Sequence, residues 1–112
     1  MSDILPLTDL AFNILVALTG EDLHGYALVK RLRELDGRDS LRTGTVYAAL
    51  ARLQDEGWVA EADAPDDAPD ARRKYYRITP EGVDSARREA ARLRAILDRA
   101  GRQPLLEEAA RG

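Results

Sequence analysis

The chain contains no cysteine, one histidine, one tryptophan and one phenylalanine in 112 residues. Without cysteine there is no disulfide and no thiolate metal site, which suits a reducing cytoplasm. His24 has only Asp22 close by in sequence, at best a two-residue site. It therefore reads as structural, and no metal is expected. The chain has no Ser/His/Asp triad, no metal-spaced cluster, no P-loop and no GxGxxG, so neither catalysis nor a cofactor is expected. No apolar run approaches the length of a bilayer span. The opening MSDILPLTD has no basic stretch and no cleavage signature, so no export signal is expected.

What is present is the composition of one soluble domain, 45% hydrophobic and 33% charged. Arginine supplies 15 of the 17 basic residues and alanine is abundant, a bias that suits a GC-rich bacterial genome. The net charge is −3 and the pI about 5.2. Taken in bulk, that argues against a nucleic-acid binder. Binding follows the local field, however, and here the charges are segregated. Arg72, Arg73, Lys74 and Arg77 stand together, and Asp63, Asp66, Asp67 and Asp70 precede them.

Apolar spacing predicts three helices in the first half of the chain. The first begins at Thr8, a good N-cap, with Asp9 at the positive end of the helix dipole and Leu7 placed to staple onto Phe12. Leu10, Ile14, Leu15 and Leu18 point inward, and Gly20 ends the helix. The second is expected from about His24 to Asp36, with Leu28, Val29, Leu32 and Leu35 inward and Gly37 as its stop. The third is expected from about Thr43 to Glu56, with Val46, Ala49, Leu50 and Leu53 inward and Gly57 closing it. Its other face carries Thr45, Ala48, Arg52 and Asp55.

Trp58–Ala62 and Lys74–Ile78 are the two expected strands. The segment 63–73 between them holds two prolines and four aspartates and reads as a surface loop. Thr79 caps a last helix that starts with Pro80 and runs to about Ala100, before Gly101 and Pro104. In this helix Val83, Ala86, Ala90, Leu93, Leu97 and Ala100 step by three and four, a coiled-coil seam with Ile96 beside it. The faces around the seam are charged and include Asp84–Arg88 and Arg94–Asp98 at i,i+4 spacing. Such a rod, roughly 30 Å long, exceeds what a small core needs to cover itself. Its seam is expected to pair with the same helix of a second chain; the plainer alternative folds it back onto the first helix.

The expected fold is mainly α with a small β-hairpin: a winged helix-turn-helix over residues 1–79, a dimerisation helix over 80–101 and a tail over 102–112. A helix followed by a hairpin with a basic second strand suits the major groove and its flanking phosphates. The same layout also serves as a protein-docking module, the main alternative.

Three segments, LHGYALVKRL at 23–32, TGTVYAALARLQDEGWV at 43–59 and RRKYYRITPEG at 72–82, resemble the PadR-like transcriptional regulators. The likeness spans roughly residues 7–100, and the single last helix looks like the compact branch of the family. It implies a homodimeric bacterial winged-helix repressor. The last helix would form the dimer with help from the first, and a small hydrophobic or other effector would relieve repression. That effector is expected in the dimer cleft. The loop is longer and more acidic than the family's Gly-rich wing tip, and Ala48 stands where the family often has proline.

On this basis Tyr47, the match to the tyrosine of the family's reading helix, is expected on DNA, or packed under the wing. Thr43 and Thr45 are expected on phosphate or as the helix cap, with Gly44 giving the backbone close approach. Arg42 and Arg52 flank the exposed face, where solvated arginines are the plain alternative. Arg72, Arg73 and Lys74 are the phosphate-binding residues of the wing, unless aspartates of the loop neutralise them. Tyr76 is expected to be more structural than Tyr75, and Trp58 to pack in the core. The expected partners are double-stranded DNA with a pseudo-palindromic operator and a second copy of the chain.

Overall fold

The computed structural model describes residues 7–36, 41–68 and 72–104. The elements run α1 (Asp9–Gly20), β1 (Leu23–His24), α2 (Gly25–Asp36), α3 (Thr43–Asp55), β2 (Val59–Ala62), β3 (Tyr75–Ile78) and α4 (Pro80–Ala100). The Gly37 stop, Asp70 and most of the 102–112 tail lie outside the described residues.

Each helix starts and stops for a local reason. Thr8 caps α1, its hydroxyl accepting from the Ala11 N–H at 3.1 Å. Gly20 is the last residue of α1, and extended Glu21 follows it. His24 caps α2 by accepting from the Ala27 N–H through Nδ1 at 3.1 Å, the part an N-cap side-chain oxygen ordinarily takes. At the end of α3, Gly57 adopts φ +79°, a left-handed conformation that favours glycine. There the Gly57 and Trp58 N–H groups donate to the Gln54 and Leu53 carbonyls, both at 2.9 Å. Buried Leu53 and Trp58 complete this Schellman stop. The Thr79 hydroxyl accepts from the Gly82 N–H to cap α4 and donates to the Gly57 carbonyl. One residue therefore ties the start of α4 to the end of α3.

The expected hairpin is a three-stranded antiparallel sheet in the order β1-β3-β2. Leu23 and His24 pair with Tyr76 and Tyr75, so the expected start of the second helix at His24 is corrected to Gly25. Across the hairpin Val59 faces Ile78 and Ala62 faces Tyr75. Trp58 lies just before β2, buried in the core as expected. The core is built from Ile14, Leu15 and Leu18 of α1, Leu28, Val29 and Leu32 of α2, and Val46, Leu50 and Leu53 of α3. Tyr76 joins that cluster, while Tyr75 is buried beside His24 with ring centroids 5.4 Å apart. Leu35 is corrected: it is 62% exposed, because it lies one turn beyond Leu32, where the core has ended.

The first half of α4 belongs to this core. Gly82, Ser85, Ala86 and Glu89 are buried, and α4 packs against α1. Glu89 is only 2% exposed. Arg92 donates to both its carboxylate oxygens, at 2.8 and 2.7 Å, and the Leu7 N–H donates to it as well. Neither expected i,i+4 pair closes among the described residues; Arg88 donates instead to the Ser85 hydroxyl at 3.2 Å.

Candidate nucleic-acid interface

The helical repeat of α3 divides its surface into three strips. Val46, Leu50 and Leu53 are buried. Gly44, Ala48, Ala51, Arg52 and Asp55 face outward and are exposed. Thr45 and Ala49 flank the α1 side, and Tyr47 flanks the side of α2 and the sheet. Of the expected outer face, Ala48, Arg52 and Asp55 are found there, while Thr45, also exposed, lies toward α1.

Capping of α3 differs from expectation. Neither Thr43 nor Thr45 caps the helix; Arg42 holds the N-cap position, and its side chain makes no capping bond. The Thr45 and Val46 N–H groups both turn to the Arg42 carbonyl. Arg42, Thr43, Gly44 and Thr45 are all exposed, so the positive end of the helix opens to solvent. A Cβ at Gly44 would meet nothing within 4 Å, so no contact among the described residues calls for glycine there.

Tyr47 is 42% exposed, and its hydroxyl lies over Gly25 at the start of α2. A Cβ at Gly25 would run into that hydroxyl and the ring carbons next to it. Tyr47 and Gly25 line one cleft of about 280 Å³ with His24, Tyr26, Arg73, Lys74 and Tyr76. This cleft brings the wing cations to the flank of α3. Burial pushes the Tyr76 phenol above its usual pKa, with neighbouring Lys74 pulling the other way.

Arg72, Arg73 and Lys74 are exposed at the start of β3. Lys74 forms an ion pair with Glu61 of the neighbouring strand at 3.4 Å, with both side chains half in water. Its neutralising partner is therefore a strand glutamate, where a loop aspartate was the expected alternative. The Arg73 guanidinium lies 5.7 Å from the centre of the Tyr26 ring. Tyr26 is 62% exposed and was not singled out from the sequence. The available signal was its position in α2, off the Leu28–Val29–Leu32 stripe. Arg52 has no ion-pair partner among the described residues. The described residues contain no cluster able to hold a metal and no helix long and apolar enough to cross a membrane.

The seam residues of α4 divide. Ala86 is buried in the chain's own core, and Val83 is half-buried beside it. Beyond the core Ala90 is exposed, Leu93 and Ala100 are half-buried, and Ile96 and Leu97 are exposed.

The model of the transcriptional regulator PadR-like family matches residues 14–88. The chain belongs to the PadR-like family of transcriptional regulators. Members of that family regulate transcription and are not enzymes. The PadR-like match takes in α2, α3, the sheet and the first half of α4. Comparison with curated protein sequences returns no significant match. Among solved structures, a transcriptional regulator from Clostridium thermocellum is 26% identical with a TM-score of 0.71, covering 93% of this chain and 98% of its own. A PadR family regulator from Clostridium difficile is also 26% identical, with a TM-score of 0.65 and coverage of 82% and 97%. RosR from H. salinarum is 27% identical, with a TM-score of 0.66 and coverage of 97% and 91%. These likenesses agree with the winged-helix architecture: three helices, a small antiparallel sheet and a long last helix.

Proposed function

We propose that this PadR-like chain is a cytoplasmic, homodimeric repressor that binds a pseudo-palindromic operator and is released by an effector. The observation that carries the reading is the open, uncapped start of α3 beside the cleft that joins Tyr47 to Arg73 and Lys74. A helix N-terminus attracts phosphate through its free N–H groups and its dipole. Arg42, Thr43, Gly44 and Thr45 supply that end, with Gly44 leaving room for backbone approach. Outward Arg52 meets base edges or the far phosphates, and Tyr47 offers its hydroxyl from the flank. Arg72, Arg73 and Lys74 hold the adjoining backbone.

The winged helix occupies residues 1–79 in this reading, and 80–101 form the dimerising helix, whose first turns also serve the core. The second copy meets Ala90, Leu93, Ile96, Leu97 and Ala100, and α1, with its exposed Val16, assists. Two-fold pairing sets half-sites about one helical turn apart. The family effector would sit in the cleft between the copies and act by favouring one relative orientation of the two heads.

The decisive experiment is a mobility shift on the chain's own promoter region over a salt series. Arg73→Ala should weaken binding to every sequence alike and flatten the salt dependence by about two units per dimer. A second reading, a protein-docking module, is favoured by the net charge of −3 and by the Lys74–Glu61 pair. Absence of any salt-dependent shift would select it.

A further inference from the structure

Between the start of α1 and the outer flank of α3 lies a half-open groove of about 350 Å³. That is within the size range of small-molecule sites. Leu10 and Ala11 form one wall, Ala48 and Ala49 the other. The two alanines leave the space that larger side chains would fill. The walls are aliphatic and carry no aromatic ring, so they suit an alkyl body better than a stacked ring. Two polar groups with spare capacity stand at the groove, Thr45 and Arg52. The Thr8 hydroxyl, also on the groove, is already used by the α1 cap. The Arg52 guanidinium and the Thr45 hydroxyl have no side-chain partner among the described residues.

We infer that this groove binds a medium-chain carboxylate, its alkyl chain along Leu10, Ala11 and Ala49 and its head group on Arg52. An aliphatic trough ending in an unpaired cation calls for an apolar body with one negative charge, since burying the body is favourable and the charge-assisted hydrogen bond fixes the head. The site is built from α1 and α3 of a single reading head, and no residue of the α4 seam lines it. Thr45 and Arg52 are also residues assigned above to DNA, so a bound carboxylate takes Arg52 from phosphate and competes with the duplex directly. Only that competition rests on the DNA-binding reading.

The test uses octanoate, with octanamide as its neutral isostere, and the full chain. Octanoate titrated into labelled protein should shift the Leu10, Ala11, Ala48 and Ala49 amides along one saturable curve. Octanamide should bind about 10-fold more weakly, the low end for a hydrogen bond to an exposed charged group. Arg52→Gln should bring octanoate down to the level of the amide, with an unchanged melting temperature. Ala49→Leu, which fills the trough, should weaken both; Ala11→Leu serves if that variant fails to fold. Equal affinity for acid and amide, saturable shifts confined to Leu93–Ala100, or no saturable shift at millimolar octanoate would each overturn the site. So would groove amides that respond to protein dilution but not to octanoate, because a second copy would then fill the trough. Octanoate that saturates the groove of a protein unable to bind DNA supports the site and sinks the function proposed above.

Discussion

Tyr47 and Gly25 are a matched pair: the phenol lies where any side chain at position 25 would begin. Gly25→Ala must therefore push the ring aside, toward solvent or into the cleft shared with Arg73 and Lys74. The substitution should lower stability in a Tyr47 background and cost little beside Tyr47→Ala. A double-mutant cycle by urea denaturation should give a coupling of about 0.5–2 kcal/mol, and additive effects would mean that the two residues do not touch. Tyr47→Phe keeps the ring and removes the hydroxyl. It should leave stability nearly unchanged and weaken operator binding by about 0.5–1.5 kcal/mol. The Tyr26 ring holds Arg73 by a cation–π contact worth about 0.5–1 kcal/mol at an exposed site. Tyr26→Phe should accordingly bind the operator like the wild type, whereas Tyr26→Ala should bind more weakly. Equal behaviour of the two variants would show that the ring does not place the arginine. The place of Tyr47 on α3, at the flank facing the wing, was legible from its motif. Tyr26 lies inside the 23–32 segment, yet nothing there marks it, because its partner Arg73 is far along the chain and only folding joins them.

Regular elements were legible wherever a periodic pattern ran for several turns. All four helices and both strands of the hairpin lie close to their expected positions. β1 was not legible: two residues carry no alternation, and their pairing is dictated by β3. The threonine caps expected for α3 also failed, because the chain enters that helix with extended Arg42 at the N-cap. In α4 the apolar seam was visible, but its division was not. Buried Ser85 and Glu89 look like surface residues in sequence; packing of α4 against α1 buries them, and their partners Arg88 and Arg92 come from α4 itself. The Glu89 carboxylate accepts from Arg92 and from the Leu7 N–H, which clasps α4 to the start of α1. Hydrogen bonds from Arg92 hold its pKa below the usual carboxylate range, against the opposing effect of burial. A depressed folded-state pKa contributes stability that is present above the unfolded value and lost as pH falls through the folded one. Glu89→Gln should therefore destabilise the chain at neutral pH by about 1–2 kcal/mol. The gap to wild type should narrow as the pH is lowered below the ordinary glutamate range. A gap independent of pH in parallel melts would show that the charge on Glu89 contributes nothing.

At the scale of the whole molecule, α4 is one stripe with two tenants. Gly82, Ser85, Ala86 and Glu89 face the chain's own core. The same stripe continues through Leu93, Ile96, Leu97 and Ala100 after that core has ended. Leu97 is 65% exposed, more than any seam residue would be if α4 folded back over its full length. Fully burying a leucine is worth about 1.5–3 kcal/mol, and a second copy offers the same stripe for the purpose. The exposure also makes the test clean, because a charge at position 97 does not enter the core of the monomer. Leu97→Glu should therefore stay folded, with an unchanged circular dichroism spectrum, and sediment as a monomer. Two linked heads bind a two-fold site far better than one, because the second contact is made at high effective concentration. The variant should lose roughly a hundredfold or more in operator affinity while single half-sites bind it as before. Ala86→Glu is the contrast: that alanine is in the core, so the substitution should unfold the head. A folded Leu97→Glu dimer that still binds the operator would show that the copies meet elsewhere. The distal stripe of α4 would then be left for a partner other than a second copy of the chain.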